Sequence, residues 1–69
     1  MTLDQMRSSD KKNLSPLDVS QVLGCSPYSI NLQAKADIGK LGFPCYMIGT
    51  RVKIPRVAFV EWAERMGYQ

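Results

Sequence analysis

Apolar positions in this chain cluster into short periodic groups, and serine-proline pairs and glycines punctuate them. Leu17, Val19, Val22 and Leu23 form one stripe, and Val19, Val22 and Leu23 keep the i, i+3, i+4 spacing of a helix face. Ser15 and Pro16 precede that stripe as a helix start. The serine caps a free backbone N–H, and proline at the first helical position gives up a donor that had no partner. Asp18 falls three residues after Ser15, where a carboxylate returns the cap and meets the positive helix end. Leu14, just ahead of the cap, is placed to act as a hydrophobic staple. Gly24 stops the helix, because glycine enters the left-handed conformation cheaply. The start signal then repeats at Ser26 and Pro27, and Ile30, Ala34 and Ile38 follow at fourfold spacing on one side of a second helix.

Beyond Lys35 the pattern changes. Asp37-Ile38-Gly39-Lys40-Leu41-Gly42 holds two glycines and reads as a connection, with Ile38 and Leu41 still turned to the core. Pro44 biases Phe43 toward an extended backbone. Cys45-Tyr46-Met47-Ile48 and Arg51-Val52-Lys53-Ile54 flank the pair Gly49-Thr50, the signature of a tight antiparallel hairpin. Period two puts Val52 and Ile54 on one face and Arg51 and Lys53 on the other. Pro55 is expected to open a last helix in which Phe59, Trp62, Ala63 and Met66 share a face. Trp62 is the expected core anchor, its truncation to alanine costing roughly 3–5 kcal/mol. Val57 and Val60 are expected to point outward as a candidate protein contact. Gly67 ends the helix and Tyr68-Gln69 form a frayed end. Residues 1–13 are polar and aperiodic and read as a flexible N-terminal tail, leaving 14–67 as the single folded domain.

Two short helices over a glycine-containing turn fit a helix-turn-helix, whose second helix enters the DNA major groove; a plain helical hairpin has the same pattern. Charge sharpens the choice. The chain of 69 residues carries nine Lys and Arg against six Asp and Glu. Lys35, Lys40, Arg51, Lys53 and Arg56 lie between Ser26 and Arg56 against the single acid Asp37. A basic middle flanked by acids suggests a surface facing a polyanion. A cationic hairpin face suits a wing resting on phosphate, and equally an edge hairpin kept soluble by charge.

Composition argues against other classes. The chain has no histidine, no glycine-rich phosphate loop and no paired carboxylates, so neither enzymatic chemistry nor a cofactor is expected. Cys25 and Cys45 cannot by themselves complete a four-ligand zinc site, so no metal is expected, and both read as partly buried apolar residues. No apolar run approaches a bilayer span, and the first thirteen residues lack a signal-peptide block, so a cytoplasmic location is expected.

Taken in order, LSPLDVSQVLGCS, Gly42-Phe43-Pro44, IGTRVKIPR from Ile48 to Arg56 and FVEW from Phe59 to Trp62 resemble the excisionase-type, MerR-like winged-helix family of small bacterial and phage DNA-binding proteins. The resemblance covers Leu14 to about Met66. It implies a mainly α fold with a small β-hairpin, a winged helix-turn-helix, whose second helix enters the major groove while the wing reaches the backbone. On the matching positions, Ser26, Tyr28, Ser29 and Asn31 lie on the leading turns of the reading helix, Lys35 holds phosphate one turn on, and Thr50, Arg51 and Lys53 are the polar wing positions. Asn31 has the paired donor and acceptor that match adenine. The sequence departs from many relatives after Ile30, where Asn31 and Leu32 replace an aromatic and an arginine, and its connection before Gly42 is longer than in the shortest members. The resemblance implies double-stranded DNA as partner, with a recombinase or further copies along DNA as companions. It implies a role in excision or transcription regulation. The alternative from another class is a protein–protein interaction module on the same fold.

Overall fold

The computed structural model describes residues 1–68; Gln69, expected in the frayed end, lies outside the described residues. Four α-helices, a 3₁₀ turn and a three-stranded antiparallel sheet make up the described chain. In order they are α1 (Leu3–Ser8), β1 (Asn13–Leu14), α2 (Pro16–Leu23), α3 (Pro27–Asp37), the 3₁₀ turn (Ile38–Leu41), β2 (Tyr46–Ile48), β3 (Arg51–Pro55) and α4 (Arg56–Met66). Among the described residues no helix is long and apolar enough to cross a membrane.

The punctuation read from sequence forms as expected. Ser15 and Asp18 make a reciprocal capping box: the Asp18 amide donates to Ser15 Oγ (3.4 Å) and the Ser15 amide to Asp18 Oδ2 (3.0 Å). Asp18 is mostly shielded. Burial raises its pKa, but the Ser15 amide, the nearby Lys11 ammonium and the Ser15 hydroxyl outweigh that and hold the carboxyl below its ordinary value. Gly24 closes α2 in the left-handed region (φ 75°), its amide donating to Ser20 O (2.8 Å). The hairpin pairs Tyr46 with Lys53, Met47 with Val52 and Ile48 with Arg51, which leaves Gly49-Thr50 as the two-residue turn. Gly49 has φ 61°, as a glycine-first turn requires.

Residues 1–13 are not a flexible tail. Thr2 and Gln5 form a capping box that starts α1, and Leu3 and Met6 are completely buried. They rank with Phe59, Leu14, Ile54 and Val19 among the largest fully buried side chains. The pair sits at i, i+3 on one face of a single helical turn and a half, too short for a periodicity to stand out. Arg56 fastens this segment from outside, its guanidinium donating to Met6 O (2.9 Å) and Lys11 O (2.7 Å). Arg7 reaches Glu64 of α4 (3.5 Å). Asn13 and Leu14 then pair with Pro55 and Ile54, a third strand that makes the sheet order β1-β3-β2. The Tyr46 hydroxyl donates to Asn13 Oδ1 (2.9 Å), linking the two outer strands across β3.

The last helix also differs from expectation. Pro55 ends β3 and serves as N-cap residue without a side-chain cap bond, so α4 starts at Arg56. Phe59 is the fully buried anchor, while Trp62 is half-buried at the edge, tilted on Phe43 (5.5 Å) and Phe59 (5.7 Å) and stacked on Tyr68 (5.6 Å). Indole is the largest apolar group, but so small a core closes around the narrower phenyl ring and leaves the indole as a lid. Met66 is exposed. Of the two valines expected outside, Val57 is 57% exposed but Val60 only 8%, because docked α1 covers part of α4. Leu17, assigned to the α2 stripe, is exposed, whereas Val19 is buried.

Candidate nucleic-acid interface

The short link Gly24-Cys25-Ser26 joins α2 to α3 and sets where α3 begins. Ser26 Oγ accepts the Ser29 amide (3.1 Å) and lies 2.9 Å from Ser29 Oγ, so the two hydroxyls cap the helix and each other. Asn31 is half-buried and its Nδ2 donates to Pro27 O (3.1 Å). Three of the polar groups proposed to read bases are therefore already engaged in holding the first turn of α3. Ile30 and Ala34 anchor the helix in the core.

The outward side of α3 is a ridge at fourfold spacing: Tyr28, 73% exposed, Leu32, 56% exposed, and exposed Ala36. Exposed Lys35 flanks this ridge on the side of Asn31, and exposed Ser29 and Gln33 flank it on the other. Leu32 carried no role in the sequence reading. Its signal was present in the fourfold step from Tyr28, which the core-facing series Ile30-Ala34-Ile38 obscured.

On the hairpin, Thr50 and Arg51 are exposed and Lys53 half-exposed. Val52 and Ile54 are buried, as period two predicts. The register sets Lys53 beside Tyr46 and Arg51 beside Ile48, so the outer face alternates cations with partly exposed apolar groups.

Ion pairing and hydrogen bonding separate seven of the nine basic side chains into two sets, and Lys12 and Arg65 lie outside both, without an ion pair among the described residues. Arg7 pairs with Asp4 and Glu64, Lys11 with Asp18 (3.7 Å), and Arg56 holds backbone carbonyls. Arg56 thus leaves the set expected to face a polyanion. Lys35, Lys40, Arg51 and Lys53 form no ion pair among the described residues. Three of the six acids, Asp4 on α1, Asp18 on α2 and Glu64 on α4, are taken up by the first set.

Among the described residues no group of three or more Cys, Asp and Glu side chains is gathered as for a metal ion. Cys25 is exposed, contrary to the expectation of partial burial; Cys45 is half-buried, and burial pushes its thiol pKa up. A shallow cleft of about 260 Å³ lies beside α3, floored by Leu23, Ile30, Leu41 and Phe43. Compared with known proteins, the chain matches no family model, no curated protein and no solved structure.

Proposed function

We propose that this chain is a non-enzymatic, sequence-specific DNA-binding domain of winged helix-turn-helix design, with α3 as the reading helix and the β2–β3 hairpin as the wing. The observation that carries the reading is the division of charge. Of the six cations without a partner among the described residues, four, Lys35, Lys40, Arg51 and Lys53, fall on the stretch from α3 to β3, with Lys12 and Arg65 outside it, while Arg7, Lys11 and Arg56 are consumed in folding. Unpaired cations of this kind neutralise phosphates and release condensed counterions. Lys35, Thr50, Arg51 and Lys53 position the domain on the backbone, and the exposed groups of α3 meet base edges. In keeping with the resemblance, the domain serves as an excision accessory factor or a small transcriptional regulator, and its small footprint calls for neighbouring proteins or repeated sites to bind tightly.

A salt titration of binding to duplex DNA tests this. Affinity should fall steeply with salt, at a slope of roughly −0.9 per phosphate neutralised. Arg51→Ala and Lys53→Ala should each flatten that slope by about one and weaken all sequences alike. The second reading, a protein-interaction module, draws on exposed Val57 and on the missing arginine near Leu32, whereas Val60 is covered and lends it nothing. Absence of duplex binding at low salt would favour it.

A further inference from the structure

Resting on the proposed DNA-binding role, we infer that α3 reads DNA through apolar contact, with Tyr28 and Leu32 set against the 5-methyl groups of thymine in the major groove. The hydrogen-bonding groups at the start of α3 have prior commitments. Ser26 Oγ accepts the Ser29 amide and is bonded to Ser29 Oγ, and Asn31 Nδ2 donates to Pro27 O. What projects farthest from the core is Tyr28, then Leu32 one turn on, with small Ala36 after that. These residues lie opposite Ile30 and Ala34, the pair that anchors the helix. A ridge of aromatic ring, branched aliphatic chain and methyl offers no strong donor or acceptor along its line apart from the Tyr28 hydroxyl.

The major groove presents one apolar feature, the thymine methyl, and side chains that meet it are apolar. A protein partner would also accept an apolar ridge. The flanks decide for DNA: Lys35 sits beside the ridge without an acid, and Lys40 follows in the 3₁₀ turn, also unpaired. Asp37, the one acid at that end of α3, turns its Oδ1 to the Gly39 amide (3.1 Å). An apolar line bordered by unpaired cations complements methyl-bearing bases between phosphates. Leu32 is then a specificity-determining residue, and the preference is for sites with thymines one helical turn of α3 apart.

The experiment uses the full chain and a duplex selected by it from a random pool. The selected duplex is remade with deoxyuridine at every thymidine, which removes the methyls and keeps every Watson–Crick pair. The unaltered chain should bind the deoxyuridine duplex more weakly, by roughly three- to fourfold for each methyl contacted. Leu32→Ala should lose the roughly three- to fourfold share of that discrimination owed to its own methyl contact, and Leu32→Ala combined with Tyr28→Ala should bind both duplexes with nearly equal affinity, each with an unchanged salt slope; both side chains are exposed, so the fold is retained, and a thermal melt checks this. Equal binding of the two duplexes by the unaltered chain, with a steep salt slope, overturns the methyl reading and leaves the DNA-binding proposal standing. Discrimination that survives both Leu32→Ala and Tyr28→Ala overturns it as well. Failure to bind any duplex at low salt overturns both.

Discussion

Asp18 ties the start of α2 to the segment ahead of it. It returns the Ser15 cap, sits 3.7 Å from Lys11 and meets the positive end of α2. Its folded pKa is lowered, so its contribution is fully present above its unfolded value of about 4 and is lost as pH falls through the lower folded value. The stability gap between the unaltered protein and Asp18→Asn should therefore stay constant from pH 7 to about 5 and close below pH 4, as read by denaturant unfolding at each pH. Phe59 and Trp62 supply a second test. Phe59→Ala should cost roughly 3–5 kcal/mol, whereas half-buried Trp62→Ala should cost less. The reverse order would mean that the indole, not the phenyl ring, anchors the core.

Among the elements, α1 contributes the most beyond expectation. It is only six residues long, too short to hold itself together in water, yet it delivers Leu3 and Met6 to the core. Leu3→Ala should destabilise the domain by about 2–5 kcal/mol in urea unfolding. A chain of this size has a total stability on the order of 3–10 kcal/mol, so Leu3→Ala combined with Met6→Ala should leave it unfolded. At the turn between α2 and α3, a methyl added at Gly24 meets no atom within 4 Å, so Gly24→Ala is opposed only by backbone strain at φ 75°. Its expected cost is about 1–2 kcal/mol, with α3 kept in place. The turn, the Ser15–Asp18 capping box and the hairpin were legible because each depends on residues within four positions of one another. Docking of α1 was not, since two apolar residues in one short turn look the same whether they are buried or loose.

At the scale of the molecule, basic residues divide by what lies near them in space. Arg56 is close in sequence to Lys53 but spends its guanidinium on Met6 and Lys11 carbonyls. Arg56→Ala should lower stability by roughly 1–3 kcal/mol, through loss of two charge-assisted hydrogen bonds and a loosened α1. Its DNA affinity should keep the salt slope of the unaltered chain, whereas Arg51→Ala should show the opposite pattern. Measuring melts and salt titrations on both variants checks the division. The same logic applies to α3. Six of the eight proposed contact residues are exposed and Asn31 and Lys53 are half-buried, but Ser26, Ser29 and Asn31 have hydrogen-bond partners that no spacing rule could reveal.

Local rules in the chain alone determined where α2 and α3 start, where α2 and α4 stop, where the hairpin turns, and that Val52, Ile54, Ile30 and Ala34 face inward, because caps, left-handed glycines and side-chain periods act over a few residues. Only the tertiary structure decided that the first nine residues complete the core, that β1 closes the sheet, that Phe59 outranks Trp62 and that Val60 is covered. It also decided which cations stay unpaired and which groups α3 turns outward. Those outcomes depend on which distant segments come to share a boundary with water, and burial and ion pairing are properties of that shared boundary rather than of any one stretch of chain.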